Sequence, residues 1–141
     1  MNKQRVIYLI VFAFYILIVL YLTIIRFNFY YDERQLNLTL FTDLINIFRN
    51  IGIGEFLRLF LGNIGWFIPF GFLLPLLSKK NSLIFTVATG LLFSFFIEAV
   101  QFVFYKGVAE LDDLILNVFG TVIGCLLHKM ARKIYQTQLF V

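Results

Sequence analysis

The residues best equipped for chemistry lie in LLFSFFIEAVQFVFYKGVAELDDLILNVFG, Leu91 to Gly120, where a glutamate, a glutamine, two aspartates and an asparagine interrupt an apolar run. Glu98 and Gln101 are three residues apart, so on a helix they share a face, which Ser94 and Tyr105 extend. Asp113, Asn117, Gly120 and Gly124 follow spacings of four, three and four and form a second stripe. Asp112 points about 100° away from that stripe at 3.6 residues per turn, so the two aspartates are expected to play different parts. Such a set can bind a polar group or hold a divalent ion through oxygens. Glu98 and Asp113 could also work as general acid and base. No thiol or imidazole shares this layer, because Cys125 and His128 lie toward the other end of their span. The pattern calls for no cofactor and no resident metal, and binding is expected ahead of catalysis.

The elements that must position these groups are set by composition. The chain has 141 residues, of which 61% are hydrophobic, and its mean hydropathy is +0.90. A water-soluble core of this length could not hide so much apolar surface, so the solvent is lipid. Four runs approach the roughly 20 residues needed to cross a bilayer of about 30 Å: Val6 to Ile25, Phe60 to Leu77, Leu83 to Tyr105 and Leu111 to Leu127. In lipid each must be helical to satisfy its backbone. The first reads as an anchor, since it is long for a signal peptide and no small-x-small cleavage site follows it. The expectation is an all-α integral membrane four-helix bundle, one domain over 1–141, in the cell membrane, with a homodimer compatible.

Lys3, Arg5, Lys79, Lys80, Lys129, Arg132 and Lys133 fall on one side of this topology, and the other five bases, Arg26, Arg34, Arg49, Arg58 and Lys106, fall on the other together with the acidic residues outside the spans. The positive-inside rule then places both termini in the cytoplasm. The net charge of +4 is this basic rim and is no sign of nucleic-acid binding. In the first outer loop, FTDLINIFRN sets Phe41, Leu44, Ile45 and Phe48 on one stripe, the pattern of a short amphipathic helix lying on the membrane or on the tops of the spans. Ile51 to Gly54, IGIG, is expected to break it. Pro69 and Pro75 should bend the second span, and Gly65 and Gly71 should let another helix come close.

The turn from Lys106 to Glu110 is short, so the third and fourth spans are antiparallel neighbours. At about 1.5 Å per residue, Glu98 lies about 10 Å below Tyr105 and Asn117 about 9 Å below Leu111, which sets them level. Asn63 enters the second span near the same layer. Gly120 and Gly124 are expected to bring the third and fourth spans together. A charge at a span centre costs about 2.5–3.5 kcal/mol, while a hydrogen bond between spans returns about 0.6 kcal/mol. A glutamate is thus poor glue, and intramembrane acids are candidates for function, with a purely structural polar network as the alternative.

NLTLF, NIGWFIPFGFLLPLL, SFFIEAVQ and KGVAELDDLILNVFGTVIG resemble the successive motifs of the VanZ-like family, over about Arg34 to Leu127. The resemblance implies that Asn63, Pro69, Gly71, Glu98, Gln101, Asp113, Asn117, Gly120 and Gly124 are characteristic positions. Lys106 stands where the family usually has arginine, Glu110 where it has aspartate, and Leu40 where it has proline. Lysine keeps the charge but loses the bidentate fork. The family is associated with resistance to glycopeptides such as teicoplanin in Gram-positive bacteria. A binder of an envelope lipid, a lipid-linked cell-wall precursor or a lipoglycopeptide at the outer leaflet is therefore expected. Asn63, Glu98, Gln101, Lys106, Asp112, Asp113 and Asn117 form its polar cluster; Lys106 and Arg26 are placed to meet a phosphate, while the negative outer surface argues against a strongly anionic ligand. The alternatives are a small membrane enzyme using Glu98 and Asp113, and a proton-coupled transporter, for which four spans without an inverted repeat are few.

Overall fold

The computed structural model describes residues 3–25, 31–78 and 82–138. Lys79 and Lys80, used above for topology, and Arg26, placed above toward a phosphate, lie outside the described residues. Among the described residues, four helices are long and apolar enough to cross a membrane: Lys3–Ile25, Ile53–Leu77, Leu83–Val103 and Leu111–Thr137. The protein is an all-α membrane bundle.

The first span is α1 (Lys3–Leu20), which continues as a π-helical turn, Tyr21–Ile25. After it come a short strand β1 (Gln35–Asn37), the nine-residue helix α2 (Thr42–Asn50), α3 (Ile53–Leu77) and α4 (Leu83–Val103). A second short strand, β2 (Val108–Glu110), leads directly into α5 (Leu111–Gln138).

The second span starts seven residues before the apolar run that marked it, at Ile53 rather than Phe60. The break before it falls at Gly52 alone, whose φ of 121° suits only glycine, and Gly54 is helical. Glu55 and Arg58 can join the helix because they pair with each other across one turn. Helix α3 runs unbroken through Pro69 and Pro75. Helix α5 extends to Gln138, eleven residues past the expected end at Leu127, because KMARKIYQTQ contains neither glycine nor proline to stop it.

Hydropathy gave no sign of the parallel pairing of β1 with β2, Asn37 opposite Glu110. This pairing straps the first loop onto the turn between α4 and α5.

Helix α5 packs most extensively on α3 and next on α4. Its small residues decide this. A Cβ at Gly120 would sit 2.1 Å from the Ile64 carbonyl oxygen, and one at Gly124 would sit 2.0 Å from that of Ile68. The two glycines therefore admit the backbone of α3, not α4 as the short turn suggested. Toward α4 the close approach is made by Gly90 instead, where a Cβ would lie 2.5 Å from the Thr121 hydroxyl. Gly71 faces the Thr121 carbonyl from the α3 side, so Thr121 is wedged between two helices, whereas Gly65, expected to admit a helix as well, has nothing within 4 Å of an added Cβ.

The core divides in two. Val19, Phe67, Phe70 and Ile97 join α1, α3 and α4, and the Phe70 and Phe93 rings stack at 5.4 Å. Leu44, Ile64 and Leu116 join α2, α3 and α5. Of the expected stripe on α2, Leu44 is buried while Ile45 and Phe48 remain exposed. The helix thus docks by one edge onto the bundle and turns the rest outward. Most of α1 is exposed, including Ile10, Phe14 and Leu17, as suits a span with lipid on most sides.

Candidate functional site

The acid-bearing end of the bundle contains two adjoining cavities. A polar cleft of about 280 Å³ lies between α2, α3, α4 and α5 and is lined by Asp43, Arg58, Asn63, Trp66, Gln101, Glu110 and Asp113, with Thr23 from the π-helical turn. A groove of about 350 Å³ lies on the other side of β2, walled by Leu36, Leu38, Phe95, Phe102 and Leu114, with Glu98 and Glu110 its only acids. Glu110 belongs to both walls.

Each polar residue is held by a definable contact. Asn63 on α3 donates through its amide to the Asp113 carboxylate on α5. Gln101 on α4 donates to the Thr23 carbonyl at 3.2 Å, a backbone oxygen in the π-helical turn, an irregularity frequent at functional sites. The Glu98 carboxylate accepts the Glu110 backbone N–H at 3.0 Å, which ties α4 to the start of α5. Asn117 does not meet Glu98, although the two were expected to be level; it donates to the Ser94 hydroxyl at 2.9 Å, one turn deeper. Helix α5 turns Gly120 and Gly124 toward α3, where Asp113 also meets Asn63, and sets Asn117 and Thr121 against Ser94 and Gly90 of α4. The expected single notch between the third and fourth spans is therefore a three-helix arrangement.

Asp112 does play a different part from Asp113. It is 1% exposed, and both its oxygens accept the Phe41 backbone N–H at 2.9 Å. Phe41 precedes α2 in left-handed conformation, φ 55°, and α2 has no side-chain cap of its own. A carboxylate 71 residues away in sequence thus receives an N–H at the entry to this helix.

Lys106 sits in the turn after α4, its backbone N–H bonded to the Gln101 carbonyl at 2.9 Å, and lines neither cavity. Arg34 lies over the Phe102 and Tyr105 rings at 5.6 and 5.4 Å. The cation that does line the cleft, Arg58, is paired with Glu55. The cleft is therefore dominated by the carboxylates of Asp43, Glu110 and Asp113. Burial and then Asp113, Asp43 and Asp112 push the Glu110 carboxyl up to about 7.

Glu110, Asp43, Thr23, Trp66 and Arg58 were not among the expected site residues. Asp43 had a legible sign, as the acid on the polar side of the α2 stripe. Thr23 had none, because its contribution is a backbone carbonyl.

The family model described as VanZ/LLP1 matches residues 12–132. Protein VanZ of Enterococcus faecium is 34% identical over 105 residues, covering 74% of this chain and 59% of that protein. The chain thus spans less than two thirds of the length of that curated relative. No solved structure matches.

Proposed function

Because this chain belongs to the VanZ/LLP1 family, we propose that it binds an amphiphile of the cell envelope, a lipid-linked cell-wall precursor or a lipoglycopeptide, with the cleft facing outward. In this way it contributes to glycopeptide resistance of the teicoplanin type. One observation carries the reading: a carboxylate- and amide-lined cleft adjoins an almost wholly apolar groove, and Glu110 is part of both. A polar head in the first and a hydrocarbon chain in the second would fill the pair.

Size and charge narrow the ligand. Pockets for whole small molecules run from roughly 300 to 1,000 Å³, so a cleft of about 280 Å³ admits one head group or one sugar, not an entire glycopeptide. Three carboxylates against one paired arginine favour an amine over a phosphate. This shifts the emphasis from the phosphate contact of Lys106 to an ammonium contact of Asp113, Glu110 and Asp43. Acid–base catalysis receives less support, because Glu98 opens on the groove and Asp113 on the cleft.

The test is equilibrium binding of a short-chain amine-headed amphiphile and its N-acetyl analogue to the purified protein in detergent. A charge-assisted bond is worth about 1.5–3 kcal/mol, so Asp113→Asn should weaken amine binding roughly 10- to 100-fold and leave the acetylated compound nearly unaffected. Affinity for the amine should rise between pH 6 and 8, as Glu110, protonated below about 7, becomes charged. Equal binding of both compounds, unchanged by pH and by Asp113→Asn, rejects the proposal.

The outward orientation has its own check. Cys125 is the one cysteine and is buried. In a Cys125→Ser background, Glu33→Cys should react with a membrane-impermeant maleimide on intact cells, and Gln136→Cys should not. The reverse pattern would turn the protein over.

A further inference from the structure

At the end of the bundle opposite the cleft, a cavity of about 520 Å³ opens between α1, α3 and α5. None of the residues discussed above as site candidates lines it. Its walls are Tyr8 from α1, Phe72, Pro75 and Leu76 on α3, and His128, Arg132 and Tyr135 from α5. The last three are spaced i, i+4, i+7 and so share one helix face. His128 is anchored at the back, 6% exposed and edge-on to the Phe72 ring at 5.7 Å. We propose that this cavity is a second binding site, for the phosphate head group of an anionic phospholipid in the leaflet at that end.

Three observations carry the assignment. The first is charge. Residues 56–97 and 114–141 contain no acidic residue, and neither does 1–31; α1, the ends of α3 and α5, and the start of α4 therefore bring no carboxylate here. Lys3, Arg5, Lys129, Arg132 and Lys133 all stand at this end.

The second is the state of the donors. Arg5 is occupied, donating to the Leu77 carbonyl at 3.0 Å. Arg132 makes no hydrogen bond or ion pair among the described residues, and the hydroxyls of Tyr8 and Tyr135 have no hydrogen-bond partner there. A guanidinium and two phenols lining one cavity are matched to a phosphodiester.

The third is depth. Counting about 1.5 Å per residue from Leu111, Arg132 lies about 31 Å along α5. That is close to the thickness of the hydrocarbon core, so the guanidinium stands at head-group level while Phe72, Pro75 and Leu76 continue into the acyl region. Basic pockets between spans at that level hold anionic lipid heads.

The experiment is native mass spectrometry of the purified full chain in detergent. It would be titrated in parallel with phosphatidylglycerol, with phosphatidylcholine of the same acyl chains, and with inorganic phosphate. Phosphatidylglycerol should bind at least five-fold more tightly than phosphatidylcholine, with no retention of inorganic phosphate. Arg132→Gln should weaken phosphatidylglycerol about ten-fold, while Lys133→Gln, a base on the same helix outside the cavity, should change it less than two-fold. Both substitutions are at exposed positions, and native charge-state distributions report whether each variant is folded. Equal binding of the two lipids would overturn the site. So would equal losses in the two variants, which would make the effect a diffuse field of the basic end. Retention of inorganic phosphate would replace the lipid by a soluble phosphate ligand and overturn the assignment.

Discussion

Substituting Gly124 by leucine should leave almost no correctly assembled protein in the membrane, and Gly120→Leu should do nearly the same. Both glycines are points where α5 touches the backbone of α3, and backbone cannot rotate aside as a side chain can. Even the Cβ of alanine would lie 2.0 Å from the Ile68 oxygen at Gly124 and 2.1 Å from the Ile64 oxygen at Gly120, far inside van der Waals contact. Overpacking typically costs about 1–3 kcal/mol when the core can adjust. Here α3 would have to move away by more than an ångström along its main interface. Association of spans depends on such close packing, since lipid supplies no hydrophobic drive between them. Alanine should lower the thermal midpoint in detergent severely, and leucine should abolish the folded peak in size-exclusion chromatography. Gly62→Ala and Gly65→Ala, in the same α3 helix but with nothing within 4 Å of the added Cβ, should be tolerated. If Gly124→Ala is as stable as Gly65→Ala, α5 does not pack on α3 as described.

The same contacts show how much was legible beforehand. Four spans, the short amphipathic helix and the polar stripe on α5 follow from hydropathy and from the 3.6-residue period, which act locally and need no knowledge of neighbours. The small-residue stripe Gly120–Gly124 was also visible, but its partner was not. Sequence adjacency pointed to α4, whereas the fit of a bare backbone pointed to α3, and only the three-dimensional packing decides between them. Asn117 was assigned to the right face yet the wrong partner, because a level estimate from helical rise cannot register a one-turn offset between Glu98 and Ser94. The β1–β2 strap escaped notice for a related reason. Three-residue strands carry too few residues for a period-2 signal, and their pairing joins segments more than 70 residues apart. Thr23 shows a harder limit, since it contributes a backbone carbonyl that any residue would supply.

Asp112 gives the second large effect, and it separates a structural acid from a ligand-binding one. In Asp112→Ala, helix α2 should detach from the bundle while the four spans stay assembled. The carboxylate is nearly inaccessible and both its oxygens receive the Phe41 N–H. Losing it leaves that donor unsatisfied, at about 1–3 kcal/mol. A helix of nine residues is marginal without tertiary support, and α2 contributes one buried side chain, Leu44, to the core. Hydrogen exchange at residues 42–50 should therefore accelerate roughly 10- to 100-fold, with exchange in α3 and α5 little changed. Because Asp43, Leu44 and Ile47 of α2 wall the cleft, amine binding should fall in parallel. Asp112→Asn keeps one oxygen to accept the Phe41 N–H and should preserve both the protection of α2 and most of the binding. Asp113→Asn should do the opposite, sparing α2 and losing the ligand. Should Asp112→Asn abolish binding with α2 still protected, the Asp112 charge would act on the ligand directly, and the division of labour between the two neighbouring aspartates would be wrong.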